Sequence, residues 1–120
     1  MLSQQQRDFY AENGYLMVEN AVTQDQLERL RDITARLIDA SRTVTESNEA
    51  YDLDAGHGPD TPRLTRVKIP HKQDPYFWDV LRNSAMTQVL NDLLGPDTTI
   101  LTSKLNTKAP GGGRAVEWHQ

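Results

Sequence analysis

The chain carries three histidines, His57, His71 and His119, and no cysteine. Thiolate metal sites, thiol nucleophiles and a disulfide frame are therefore excluded. His57 sits between two glycines in a polar stretch and reads as a solvated loop residue. His71 follows Pro70 at the end of a strand pattern and reads as structural. His119 follows Trp118 on a strand pattern, and spacing alone does not make it a ligand. A metal needs several converging donors, and no second His or carboxylate stands at the spacing of a helical His pair. Lys104 and Asn106 share one face of a strand pattern, and Arg66 and Lys68 share one face of another. Such a face is either the wet side of an antiparallel strand or a pocket wall, where an ammonium and an amide can anchor a carboxylate. Asp52-x-Asp54 starts like a calcium loop, but the twelfth position is Arg63, where a bidentate Glu is required. Neither a P-loop nor a Ser-centred nucleophile elbow is present.

The elements that must position these groups follow from caps and periodicity. Ser3-x-x-Gln6 has capping-box spacing, and Gly14 is placed to end that first helix. Tyr15 to Val18 reads as a short strand with Leu16 and Val18 buried. Thr23-x-x-Gln26 opens a second helix, with Leu27, Leu30, Ile33, Leu37 and Ile38 on one stripe and charged residues opposite. Residues 41–63 are rich in Ser, Thr, Asn, Asp, Gly and Pro and read as a flexible loop or a lid. Leu64 to Ile69 alternates as a strand, with Thr65, Val67 and Ile69 on one face and Leu64, Arg66 and Lys68 on the other; Pro70 ends it. Asp74-Pro75 caps a short helix through Phe77, Trp78 and Leu81. Ser84 caps another with Met86, Val89, Leu90, Leu93 and Leu94 on one stripe, closed by Gly95-Pro96. A long strand is expected from Thr98 to Lys108, then a Gly-rich connection, then a strand from Arg114 to Gln120. Trp118 reads as packing.

Composition bounds the rest. The chain has 120 residues, a formal charge of −4 and 37% hydrophobic residues. That suits one small domain with a thin core. No apolar run approaches the ~18 residues of a spanning helix. The first residues lack the apolar centre of a secretory signal. The charge is spread, with no Lys/Arg block, which argues against nucleic acid or an anionic membrane as partner. A cytoplasmic protein is the expectation.

Two segments carry a resemblance. Leu105-Asn106-Thr107-Lys108-Ala109-Pro110-Gly111, followed by Glu117-Trp118-His119-Gln120, resembles the phytanoyl-CoA dioxygenase family, which includes the ectoine hydroxylases. Its members have a polar residue ending a strand, then Lys-Pro-Gly, then a strand with Trp-His-x-Asp. Phe9-Tyr10-x-x-Asn13-Gly14-Tyr15-Leu16-Met17-Val18 is similar to the family's opening. The fold so implied is α+β: N-terminal helices and the first strands of a double-stranded β-helix, a jelly roll that is incomplete in this chain. The implied chemistry is Fe(II)- and 2-oxoglutarate-dependent use of dioxygen to hydroxylate a small-molecule substrate. By the same resemblance His119 is the first iron ligand, and a His-x-carboxylate pair suits a strand because residues i and i+2 face the same way. Asn106 matches a 2-oxoglutarate-binding position, Lys104 a pocket-lining position, and Lys68 a basic residue of that pocket.

The carboxylate would be the residue after Gln120, and the distal His and the 2-oxoglutarate-clamping Arg would lie further on. Residues 1–120 are therefore expected to be the N-terminal part of one larger domain, inactive alone. Three alternatives stay open at this stage. One is a halogenase on the same scaffold, in which a small residue replaces the carboxylate. Another is a jelly-roll binding domain without its metal. The third is a stand-alone α+β interaction module.

Overall fold

A computed structural model describes residues 1–111, 115, 117 and 118. It shows five helices and one three-stranded antiparallel sheet among the described residues, in the order α1 (Gln4–Asn13), α2 (Gln24–Ala40), β1 (Tyr51–Leu53), β2 (Leu64–Lys68), α3 (Pro70–Gln73), α4 (Pro75–Asn83), α5 (Ala85–Leu94) and β3 (Lys104–Asn106). Both capping boxes form. The Ser3 hydroxyl accepts the Gln6 N–H while the Gln6 side chain accepts the Ser3 N–H, and Thr23 and Gln26 repeat the exchange. Two of the orphan donors at each helix start are thereby satisfied. Gly14 stops α1 at φ 76°, a left-handed position that costs glycine nothing, and donates to the Tyr10 carbonyl. Asp74 caps α4 through the Tyr76 N–H, with Pro75 at the first helical position. Ser84 precedes α5 as expected but makes no side-chain cap bond.

The sheet runs β1-β2-β3. Tyr51 stands opposite Val67, and Val67 opposite Leu105. These three face the core, where Tyr51, Leu64 and Val67 are buried and Leu37 and Ile38 of α2 pack against them. The amphipathic stripe of α2 thus covers one face of the sheet, with Ile33 its most buried residue. Burial raises the pKa of the Tyr51 phenol, which keeps it neutral in this apolar setting.

The strand expectations need correction at three places. Leu64 was expected on the face opposite Val67, yet both are buried. The register shifts between Asp52 and Leu53, so that Leu53 pairs with Leu64 and not with Thr65. This bulge puts an extra residue on β2 and turns Leu64 back toward the core. Tyr15 to Val18 forms no strand, although Leu16 and Val18 are indeed its less exposed residues. The expected strand from Thr98 to Lys108 shrinks to Lys104–Asn106, and residues 98–102 are exposed without regular structure. Alternation alone does not make a strand; a ladder partner for the backbone is also required. The expected strand from Arg114 to Gln120 lies mostly outside the described residues, and Trp118, read as packing, is fully exposed.

Two further differences concern connections. Residues 41–63, expected without regular structure, contain a 3-10 turn at Ser41–Thr43 and the whole of β1. Pro70, expected only to end β2, opens α3. The preceding Ile69 has φ 46°, a left-handed conformation unusual for a β-branched residue. It is held there by its N–H, which donates to the Ser103 carbonyl, and by its carbonyl, which accepts the Lys72 N–H.

The molecule is extended for its length. Its radius of gyration is 16.9 Å, against roughly 13–14 Å for a compact chain of this size. Leu90, Leu94, Ile100 and Leu101 are exposed, and several of them line an apolar groove of about 580 Å³ between α4, α5 and the segment after them.

Candidate functional site: the polar face of the sheet

With Tyr51, Val67 and Leu105 turned to the core, the residues between them face the other way. The register places Asp52 opposite Arg66, and Arg66 opposite Asn106, in one row across all three strands. Lys68 and Lys104 are opposite each other in the adjacent row. The sequence-derived candidates Lys68, Lys104 and Asn106 are therefore brought together on one face, and Arg66 joins them. Like charges directly opposite on a sheet repel, and the face holds the counter-charge that eases this. The Lys68 ammonium donates to Asp52 at 2.7 Å and to the Asn48 carbonyl at 2.8 Å. Arg66 lies 3.6 Å from the other Asp52 oxygen.

The amide of Asn106 is oriented by its neighbour. Arg66 Nε donates to Asn106 Oδ1 at 3.2 Å. With the oxygen engaged by a cation, the amide NH₂ is the end left to donate to an acceptor. Lys104 is exposed and has no ion-pair partner among the described residues. A cleft of about 280 Å³ runs along this face, with Asp52, Arg66, Asn106 and Lys108 among its walls. Four cations, Arg66, Lys68, Lys104 and Lys108, with one carboxylate and a donating amide make a surface of net positive charge suited to a carboxylate-bearing ligand.

Asp52 was missed as a site residue because the sequence offered it only as half of a calcium motif. In the structure both carboxylates of that motif pair with cations of the chain itself. Asp52 is taken by Lys68 and Arg66, and Asp54 pairs with Arg63 at 3.4 Å. The residue at the twelfth position is thus a cation serving the loop that a metal would have occupied. The signal for Asp52 was the triplet Tyr51-Asp52-Leu53, apolar-polar-apolar inside a polar stretch.

The histidines divide as follows. His57 was read as solvated, but its ring is pinned inside the structure. Nδ1 accepts the Arg63 N–H at 2.9 Å, which leaves Nε2 to donate to the Ser41 carbonyl at 3.0 Å. Both ring nitrogens are used, so His57 is a structural strut. His71 is structural as expected: Nδ1 meets the Ser103 hydroxyl at 2.6 Å, and the ring packs against Trp78 with centroids 5.3 Å apart. His119 lies outside the described residues. Among the described residues no group of three or more His, Cys, Asp or Glu could hold a metal ion, and no helix is long and apolar enough to cross a membrane.

The described residues thus form a small helix-backed antiparallel sheet with one apolar face and one cationic, amide-bearing face. The family model described as phytanoyl-CoA dioxygenase (PhyH) matches residues 10–120, and the chain belongs to that family. Three relatives align along nearly all of it. A Stutzerimonas stutzeri protein named as a probable alpha-ketoglutarate-dependent hypophosphite dioxygenase is 28% identical over 120 residues, all of this chain and 41% of the relative. A Caenorhabditis elegans protein named as a probable phytanoyl-CoA dioxygenase is 26% identical over 99% of this chain and 40% of the relative. The Rattus norvegicus peroxisomal phytanoyl-CoA dioxygenase is 25% identical over 99% of this chain and 36% of the relative. The chain thus spans about two fifths of the length of the curated relatives it matches. No solved structure gives a significant match.

Proposed function

We propose that residues 1–120 are the N-terminal part of an Fe(II)- and 2-oxoglutarate-dependent dioxygenase that hydroxylates a small organic substrate on a double-stranded β-helix. The observation that carries this reading is the polar sheet face: Lys104, without an ion-pair partner among the described residues, beside an Asn106 amide whose oxygen is already engaged. That donor set fits a dicarboxylate such as 2-oxoglutarate, because each free group is a donor or a cation. The family supports the co-substrate. The relatives' names differ in substrate, hypophosphite in one and phytanoyl-CoA in two, so the substrate is not carried over. The uncovered apolar residues of α5 and the segment after it, with the extended overall shape, support a fold that continues beyond these elements.

By the family resemblance His119 would be one iron ligand, with the further donors expected from outside this chain. When bound, the metal supplies redox activation of dioxygen coupled to decarboxylation of the oxo acid. The chain's own contribution is to hold the carboxylate end of the co-substrate and to fix its orientation. Lys104 supplies charge, Asn106 a directed hydrogen bond, and Lys68 a second cation set by its partners.

The test is made on the full-length protein. Under air, with Fe(II) added, consumption of 2-oxoglutarate is expected to yield succinate and carbon dioxide in equal amounts. Under nitrogen, 2-oxoglutarate is expected to bind with one-to-one stoichiometry. Absence of both binding and turnover overturns the proposal.

A further inference from the structure

We propose that Asp52 is the positioning residue of this anion-binding face, acting through Lys68 and Arg66; the proposal rests on the 2-oxoglutarate reading given above. Asp52 is itself a carboxylate and no receiver for the co-substrate, yet it contacts two of the four cations on the face. One oxygen holds the Lys68 ammonium at 2.7 Å, and the Asn48 carbonyl holds the same ammonium from the other side at 2.8 Å. An unpaired lysine spreads over many rotamers, and ordering it on ligand binding has an entropic cost. Lys68 has met that cost in advance. The second Asp52 oxygen lies beside Arg66, whose Nε fixes the Asn106 amide. The row Asp52, Arg66, Asn106 therefore runs from the edge strand β1 to the residue that donates to the ligand, and all three line the same cleft.

A competing role for Asp52 is simple charge damping. The two roles predict opposite signs. If Asp52 only lowers the positive charge of the face, then Asp52→Asn raises that charge by one and tightens binding of a dianion. If Asp52 positions Lys68 and Arg66, then Asp52→Asn releases both side chains and weakens binding. We expect weakening of about fivefold, the upper range for a partly exposed ion pair.

The readout is the dissociation constant of 2-oxoglutarate, measured by calorimetry on the full-length metal-loaded protein under nitrogen. Asp52→Glu keeps the charge and should recover most of the affinity. Lys68→Gln and the double variant close a thermodynamic cycle. Part of the Asp52→Asn effect should vanish in the Lys68→Gln background, because the missing ammonium can no longer be aimed. Tighter binding by Asp52→Asn, or full additivity of the two substitutions, overturns the proposal. If Asp52→Asn does not fold, failure of Asp52→Glu to keep affinity within twofold of the unaltered protein overturns it instead. Failure of the unaltered protein to bind 2-oxoglutarate overturns the underlying reading, and this inference with it.

Discussion

Val67 is the residue on which both faces of the sheet depend, and Val67→Ala tests that dependence. It is fully buried on β2, the middle strand, between Tyr51 on one side and Leu105 on the other. The substitution removes two methyl groups from that setting. At about 0.8 kcal/mol per buried carbon, the lost transfer energy is about 1.6 kcal/mol. A residual cavity adds about 1 kcal/mol where the walls do not close in. The walls here include two neighbouring strands whose backbones are paired, so little collapse is expected, and the total comes to about 2–3 kcal/mol. Urea unfolding of the full-length protein provides the measurement, read as a lower midpoint at unchanged slope. Lys72→Ala, an exposed position on α3, is the control and should stay within about 0.5 kcal/mol of the unaltered protein. Val67 is flanked by Arg66 and Lys68, so a loosened β2 should also weaken 2-oxoglutarate binding. If Val67→Ala costs no more than the control, the sheet has no packed inner face and the argument for a polar outer face loses its geometric basis.

Three other outcomes are expected. Lys104→Met removes a cation of the face that has no ion-pair partner among the described residues; the dissociation constant of 2-oxoglutarate should rise at least tenfold, as for loss of a charged hydrogen bond, and calorimetry reads it. Asp92 accepts the Leu2 backbone N–H and the Gln88 side chain, and these hold its carboxyl below the ordinary aspartate value near 3.8. Because the folded pKa is depressed, its stabilisation is present above about pH 3.8 and lost as the pH falls through the lower folded value; hydrogen-exchange protection of α1, relative to the intrinsic rate at each pH, should fall over that acid window, and Asp92→Asn should remove that fall. Residues 1–120 expressed alone should unfold over a broad temperature range and bind Fe(II) without stoichiometric affinity. A sharp cooperative transition would favour a self-standing interaction module.

The helices were legible because their signals are local. A cap at Ser3 or Thr23 and a stop at Gly14 need only neighbours in sequence, and both capping boxes form. The apolar stripe of α2 likewise predicted which side packs on the sheet. The strands were less legible because half of their definition lies elsewhere in the chain. Thr98 to Lys108 alternates well enough, yet only Lys104–Asn106 finds a partner strand. The reverse error occurred in residues 41–63, where Tyr51–Leu53 is too short for its alternation to stand out from a polar background. Leu64 failed for a third reason: a bulge breaks the period of two, and its position is set by pairing with β1.

The same asymmetry governs the site. A period of two tells which residues of one strand share a face, so Lys104 and Asn106 could be grouped from sequence, and so could Arg66 and Lys68. It says nothing about which residue of the next strand stands opposite. That requires the register, and the register is what turns four separate polar residues into an arrangement. Slipping β3 by one residue against β2 would set Leu105 beside Arg66 or Lys68 and move Lys104 and Asn106 to the core face. The apolar pair Val67 and Leu105 forbids that slip, since it would bury an ammonium under α2. The core therefore selects the register, and the register aligns Asn106 with Arg66 and Lys104 with Lys68. Asp52 enters by the same route: Tyr51 must face inward opposite Val67, so Asp52 must face outward opposite Arg66. The composition of the binding face follows from the packing of the apolar face behind it, and a substitution that disturbs the inner row should be read first as a change in the aim of the outer one.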